Sequence, residues 1–490
     1  MEKIVNIRRS GNVLEVEPAC LGVLHTPLTY KHAEMGNMYG MQSGKREVHI
    51  VEKEMYRMEG DKLYTLQGAL VRVTKALTDA GYTCVFTDLR TKKELEPDYE
   101  WFAKCMPDLE FRFKQDEVLA TLIGKNCGQI EAPTAYGKTF IMLALAALYP
   151  KANIIIAAPS TALLRGTYRR MLKITPDIGR VGAGYNDPQR ITLCTFNSIL
   201  SAPIDKCDIL LLDEVHKASS PVMSTRIAKI RTPIKIFGMT ATPTGRSDNA
   251  HLPIEIMVGP RIAKVDYDEA VTAGIISPIK VVLTDVEDHT CNAHSYDYVS
   301  KIAKKRNCYW RNNVRNAKFA EAVSTYPAKL GMRPDAQMLV LTETVEHAFR
   351  LAKLLPDFTV IYAGMPAARA AKLKSLGLIP QDYKPLTNLQ RDNLLRDFEC
   401  GVLRKAIATS CWGEGVDFVH LDVLVNVSGA TSKISTVQWA GRNSRMYEGK
   451  SFGLVIDCID SWDKWANGRA NSRLTTYRKK KWELLKGATL

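Results

Sequence analysis

"IEAPTAYGKTFIMLALAAL", Ile130 to Leu148, passes from a short apolar run through a polar loop into a longer apolar run. A full phosphate-binding loop reads G-x-x-x-x-G-K-[ST]. Here Ala132 stands in the first glycine's place, and Gly137, Lys138 and Thr139 supply the ending. Between a strand and a helix, such a loop turns its backbone amides and the helix N-terminus toward a phosphate. Lys138 is then placed to reach the β- and γ-phosphates, and the Thr139 hydroxyl to ligate Mg²⁺. Pro133, Thr134, Ala135, Tyr136 and Gly137 form the rest of the nucleotide loop. Ala135 limits its dihedrals, and Tyr136 either packs beside the nucleotide or faces solvent.

The matching half lies downstream in "ILLLDEVH", Ile209 to His216. Four apolar residues predict a buried strand that ends in Asp213 and Glu214. Ligands collect at the carboxyl ends of strands in open α/β sheets. Asp213 suits the Mg²⁺ shell, and Glu214 is placed to orient and deprotonate an attacking water. A solvated acidic turn would not explain why both acids directly follow a buried strand.

Further apolar runs extend the pattern outward: "ANIIIAAPS", "ITLCTF" and "IKIFGMTATP", then "AQMLVLTE", "FTVIYAG", "RKAIATSC", "VLVNVSG" and "FGLVIDCID". Continuous apolar runs alternating with helices indicate parallel sheets covered on both faces. The fold expected is α/β, with two parallel-sheet domains in tandem. Residues 1–88 read as a small N-terminal α/β domain, 89–265 as the first large domain and 266–330 as a largely helical connection. Residues 331–460 read as the second large domain, and 461–490 as a basic tail.

At 490 residues the chain is long enough for two large cores. It carries 67 Lys+Arg against 52 Asp+Glu, a balance that suits a polyphosphate partner. Eleven scattered cysteines with no CxxC disfavour zinc and a disulfide framework. No apolar run is long enough to span a bilayer. These features point to a soluble cytoplasmic protein.

The motifs together resemble the superfamily 2 DExH-type DNA helicases and translocases, in particular the phage-type group that remodels branched DNA. "DEVH" is similar to motif II and "APTAYGKT" to motif I, where Ala-Pro-Thr is an ordinary opening. The resemblance covers about residues 110 to 460 and implies two RecA-like domains of the P-loop NTPase type, with ATP and Mg²⁺ as cofactors. It assigns adenine recognition to Gln115 in "FRFKQDEV". Backbone contacts with nucleic acid fall to Ser160, Thr161 and Arg165 in "AAPSTALLRGTYRR", to Thr195 in "LCTFNSIL" and to Thr409. His216, Thr240 and Thr242 would couple the two sites. "ATSCWGEGVDF" resembles motif V, with Gly415 and Asp417 near the nucleotide. "QWAGRNSR" resembles motif VI, with Gln438, Arg442 and Arg445. Two arginines three apart can share a helix face, from which one or both would stabilise phosphoryl charge.

Residues 301–318 hold seven Lys/Arg and no acid, with Tyr309 and Trp310 among them. Arg311 and Arg315 are candidate nucleic-acid contacts. The aromatic pair is either a wedge that stacks on an unpaired base or the apolar face of a helix packed on its domain. Ser461 to Leu490 adds eight Lys/Arg against two acids, and either binds duplex or docks on the second domain. The implied function is an ATP-dependent DNA helicase or double-strand translocase on forked or branched DNA, in replication, recombination or repair. Its partner would be DNA held through the backbone, with no membrane partner and a monomeric state. The alternatives are an RNA helicase and a translocase subunit of a larger nucleic-acid-processing assembly.

Overall fold

The computed structural model describes residues 3–35, 48–91, 94–172, 175–241, 251–288, 301–412, 418–429, 437 and 439–489. Two compact units divide the chain, Met1–Asp266 and Tyr267–Leu490.

In the first unit, the apolar runs of the sequence become an eight-stranded sheet. Its order is Tyr185–Asp187, Ile178–Gly182, Ile191–Thr195, Ile154–Ala158, Ile209–Asp213, Lys235–Thr240, Cys127–Glu131, Arg261–Lys264. All neighbours are parallel except the hairpin of Ile178–Gly182 with Tyr185–Asp187. Ile154–Ala158, Ile191–Thr195, Ile209–Asp213 and Lys235–Thr240 are buried at every position. That is why their sequences are unbroken apolar runs rather than alternating ones. Parallel strands share one carboxyl edge, so Glu131, Ala158, Thr195, Asp213 and Thr240 end along the same rim of the sheet. Gly238 lets the turn after Asp213 lie close, since a Cβ there would meet Val215 Cγ1 at 2.8 Å.

The N-terminal segment forms a five-stranded sheet ordered Arg57–Glu59, Lys62–Leu66, Val13–Glu17, Lys3–Ser10, Tyr82–Asp88, with the helix Leu70–Asp79. A hairpin of Thr29–Met35 with Val48–Glu54 stands beside it. This small domain shares one continuous apolar core with the first large sheet, running from Val5, Ile7 and Leu77 to Ile227 and Ile256. Arg72 pairs with Glu255 at 2.7 Å across that junction, and Asn12 Nδ2 donates to Ile227 O at 3.0 Å.

The second unit is a seven-stranded, wholly parallel sheet. Its order is Thr359–Ile361, Lys405–Ala408, Gln337–Leu341, Leu421–Asn426, Gly453–Asp460, Ile279–Val286, Glu483–Lys486. One segment differs from the sequence expectation, and a second takes one of the two alternatives given for it. The connection expected to be largely helical supplies the strand Ile279–Val286, buried along most of its length and paired on both sides. The basic tail forms the helix Lys464–Lys479 and the strand Glu483–Lys486 of this same sheet. Trp482 is buried and stacks with Tyr477 at 5.6 Å. The apolar content of the tail, not its charge, decides where it goes. Among the described residues no helix is long and apolar enough to cross a membrane.

Candidate ATP site

The nucleotide loop is built from inside the first sheet. Ala132 N donates to Thr240 O at 3.0 Å, so the loop leaves the rim tied to the neighbouring strand. Ala135 is held at φ 69° and Gly137 at φ 102°, both left-handed. Glycine takes that region without penalty, whereas alanine costs about 1–2 kcal/mol there. The restriction expected at Ala135 is therefore carried as backbone strain within a turn that the rest of the loop enforces. Gly137 also has no room for a side chain, since a Cβ would meet Gln115 Nε2 at 2.7 Å. The helix Lys138–Leu148 starts immediately afterwards, with its amides at the loop.

Lys138 Nζ donates to Ala132 O at 3.1 Å and Pro133 O at 3.3 Å, which keeps the ammonium at the mouth of its own loop. Thr134 and Pro133 are half-buried in the same turn. Asp213 is buried, and its Oδ1 accepts from Glu214 N at 3.0 Å. Burial first, and the adjacent Glu214 charge second, push the Asp213 carboxyl upward, with Lys138 opposing them. Such a carboxylate gains from a nearby cation. Glu214 sits at φ 50°. Its buried Oε2 accepts no hydrogen bond among the described residues and lies 3.3 Å from His216 Nδ1. His216 Nδ1 in turn meets Thr240 Oγ1 at 2.8 Å, with both residues fully buried. The donor set, one hydroxyl and two carboxylates beside a lysine, fits a hard cation and a polyphosphate. Lys138 and Thr139 would hold Mg²⁺–ATP from the loop, and Asp213 from the strand end. The bound group would supply an electrophilic phosphorus, and the cation and Lys138 would neutralise the charge that develops on its oxygens.

Two residues expected at the nucleotide are occupied by the protein itself. Tyr136 is 1% exposed, and its hydroxyl donates to Phe113 O at 2.7 Å. It does not face solvent, one of the two expectations; it pins the loop to the segment before it. Gln115 donates from Nε2 to Tyr136 O at 2.8 Å and accepts from Arg112 N at 3.0 Å. Both ends of the amide are engaged, so Gln115 braces the loop rather than presenting itself to a base. Tyr136→Phe is therefore expected to lower stability by about 1 kcal/mol, the loss of one hydrogen bond, with nucleotide affinity nearly unchanged. Denaturant midpoints and a nucleotide titration check both halves.

The expected nucleic-acid contacts separate into two groups. Thr161 and Arg165 are exposed at the start of the helix Thr161–Leu172, and Ser160 Oγ accepts from Leu163 N at 3.3 Å. Thr195 is buried, and its side chain caps the turn Phe196–Ser201. Thr409 is buried at the end of the strand Lys405–Ala408.

In the second unit, Arg442 is buried and donates from Nη1 to Trp412 O at 2.5 Å. The shared helix face expected for Arg442 and Arg445 is not found. The turn Arg442–Ser444 ends at Arg445, whose backbone is extended and bridges to Ile276. Thr242, Gly415, Asp417 and Gln438 lie outside the described residues.

The basic segment 301–318 corrects its wedge reading. Tyr309 is fully buried and Trp310 nearly so, in a cluster with Cys308 and Ala466. The Tyr309 ring lies 5.3 Å from that of Trp465. Arg315 is fully buried against Asp460 at 2.9 Å, and Arg311 pairs with Glu346 at 2.7 Å. Tyr309, Trp310 and Arg315 are turned into the domain, and Arg311 is partly exposed in an ion pair. The phosphate-binding signal came from positive charges several of whose acidic partners lie far along the chain.

One residue at the rim escaped the sequence reading. Arg170, from the far end of the helix Thr161–Leu172, donates from Nη2 to Thr139 Oγ1 at 3.4 Å. Nothing in "LLRGTYRRML" distinguishes it from Arg169.

The fold and the rim residues define a P-loop NTPase with two large parallel-sheet, RecA-like domains and a small N-terminal domain. Residues 108–245 match the family model described as type III restriction enzyme, res subunit. The DNA 3′-5′ translocase XPB2 of Sulfurisphaera tokodaii is 24% identical over 393 residues, which cover 76% of this chain and 85% of that protein. Among solved structures, Dbp5 of S. cerevisiae bound to RNA and ADP BeF3 aligns with a TM-score of 0.54 at 14% identity. That alignment covers 81% of this chain and 96% of Dbp5. The type ISP restriction-modification enzyme LlaBIII bound to DNA aligns with a TM-score of 0.50 at 14% identity, covering 85% of this chain and 34% of the enzyme. The chain has the superfamily 2 helicase/translocase fold and is related to replication and repair helicases. It is an ATP-hydrolysing, nucleic-acid-dependent enzyme of that superfamily.

Proposed function

We propose that the chain is an ATP-driven translocase that moves along nucleic acid by its backbone, with DNA as the track, and serves as the motor of a larger nucleic-acid-processing assembly. The observation that carries the reading is the chain of contacts from Glu214 through His216 to Thr240. It ties the residue that would activate water to the neighbouring strand end of the same rim. DNA is favoured by the translocase relative, which spans most of the chain. The role as a motor within an assembly is favoured by the match to a restriction-enzyme subunit and by the likeness to a part of LlaBIII. These comparisons favour it over autonomous remodelling of forked DNA in replication, recombination or repair. Backbone contacts from Ser160, Thr161 and Arg165 would position a strand without reading its sequence.

A second reading, translocation on RNA, has the fold likeness to RNA-bound Dbp5 behind it. ATPase stimulation by duplex DNA, single-stranded DNA, forked DNA and RNA separates the readings, with displacement of a third strand reporting movement without unwinding. Duplex DNA is expected to stimulate most and to support third-strand displacement. Stimulation by RNA alone would replace DNA as the track. No stimulation by any of the four would remove the motor reading.

A further inference from the structure

The two ends of the helix Thr161–Leu172 face different tasks. At its start, Thr161 and Arg165 are exposed and four residues apart, hence on one face. At its far end, Arg170 is turned about 140° from Arg165, five residues at about 100° each. That turn brings its guanidinium to Thr139 Oγ1 at 3.4 Å. Thr139 is the hydroxyl with which the nucleotide loop would hold its cation. Arg170 is also near enough to Asp213 for its charge to oppose the rise that burial, and then Glu214, impose on that carboxyl. A positive group of the chain's own thus stands among the residues that would receive Mg²⁺. Its other end, about 13 Å away at 1.5 Å per residue, is the expected grip on the nucleic-acid backbone.

We propose that Arg170 is a positioning residue that competes with Mg²⁺–nucleotide for Thr139, yields the hydroxyl when Mg²⁺–nucleotide arrives, and so transmits nucleotide occupancy along the helix to Thr161 and Arg165. The inference rests on the reading of the chain as a nucleic-acid motor and names a device within it. A cation on Thr139 Oγ1 repels a guanidinium that donates to the same oxygen, which favours a shift of the guanidinium when the cation binds. A helix is stiff along its axis, and a displaced anchor at one end moves the other. The coupling must also be reciprocal. Nucleotide changes nucleic-acid affinity by the same factor by which nucleic acid changes nucleotide affinity.

The test uses the full chain with Arg170→Ala and Arg170→Lys, a non-hydrolysed fluorescent ATP analogue with Mg²⁺, and mixed-sequence single-stranded and duplex DNA. Analogue affinity is measured with and without DNA, and DNA affinity with and without analogue. Arg170→Ala is expected to bind the analogue alone at least as tightly as the unaltered protein, because a competing cation is gone. The factor linking the two ligands is expected to fall by about 5-fold or more, and Arg170→Lys to recover part of it. Loss of analogue binding would overturn the proposal, since it would make Arg170 a direct nucleotide ligand. An unchanged coupling factor would overturn it as well. If Arg170→Ala fails to fold by thermal melt, Arg170→Lys must still show a coupling factor below that of the unaltered protein, and an equal factor sinks the idea. Absence of any coupling in the unaltered protein would instead remove the motor reading beneath it.

Discussion

Glu214→Gln is expected to lower steady-state ATP turnover by a factor of about 10² to 10⁴ while leaving nucleotide binding in place, the span removed with a well-placed general base. It directly follows a fully buried strand, and Oε2 is sealed from bulk solvent without an accepted hydrogen bond among the described residues. A buried acceptor left open costs free energy and is rarely kept without use. The amide of glutamine keeps the shape and removes the basicity. Asp213, Lys138 and Thr139 are untouched by the change, and these are the groups that would hold the phosphates and Mg²⁺. Binding and turnover should therefore separate. Single-turnover hydrolysis and analogue titration on the same preparation measure the two. Turnover within a few-fold of the unaltered protein would remove Glu214 from the water-activating role, whatever its place at the rim. The side chain of His216 gives a further readout. It lies 3.3 Å from Glu214 and 2.8 Å from Thr240, so removing the negative charge also loosens the route from the acid to the strand end. Nucleic-acid stimulation of the residual rate should fall with the rate itself.

Much of this was legible in the chain because it depends on local pattern. A run such as "ILLLDE" states both that a strand is buried on two faces and where it ends, and the rim residues follow from a parallel arrangement. The small domain's shared core was less visible. Its partner residues, such as Ile227 and Ile256, lie in segments that have apolar faces for their own sheet as well. Tyr136 looked like a nucleotide contact because its loop is one, but its hydroxyl is claimed by Phe113, 23 positions earlier. The wedge alternative for segment 301–318 arose for the same reason on a larger scale. Counted locally it has only positive charge. In the fold Lys305 meets Glu343, Arg311 meets Glu346 and Arg315 meets Asp460, separations of 38, 35 and 145 residues that no local count can see. Arg170 escaped notice for the opposite reason. It sits in a recognisable segment, yet its direction relative to Arg165 matters only once Thr139 is known to lie beside it.

Arg315→Met is expected to destabilise the second unit by about 3–5 kcal/mol, the cost of leaving one buried charge without its partner. The guanidinium donates from Nε to Asp460 at 2.9 Å, from Nη1 to Val427 O at 2.8 Å and from Nη2 to Cys458 Sγ at 3.2 Å. Aromatic rings of Tyr309 and Phe319 lie 4.3 and 4.9 Å from its Cζ. Burial works most strongly against the charge, and Asp460, Cys458 and Tyr309 together keep the guanidinium pKa raised. Methionine restores volume but strands Asp460, itself fully buried, and frees the Val427 carbonyl. Removing both charges, Arg315→Met with Asp460→Leu, should cost less than Arg315→Met alone, because an apolar pair needs no solvation. Denaturant unfolding of the three variants reads this directly, as a coupling energy between neighbours. A nucleic-acid contact would behave in the other way. The single change would then weaken binding, leave the unfolding midpoint in place and gain nothing from Asp460→Leu. The neighbouring pair gives the same fold a second brace, since Arg473 holds Asp457 at 2.8 Å and Tyr477 donates to that carboxylate at 2.6 Å. Arg315 and Arg473 approach the strand Gly453–Asp460 from the helices Asn313–Lys329 and Lys464–Lys479. The positive charge of both helices is thus partly spent inside the domain. This is why a chain with so many basic residues offers fewer of them to a polyphosphate than its composition implies.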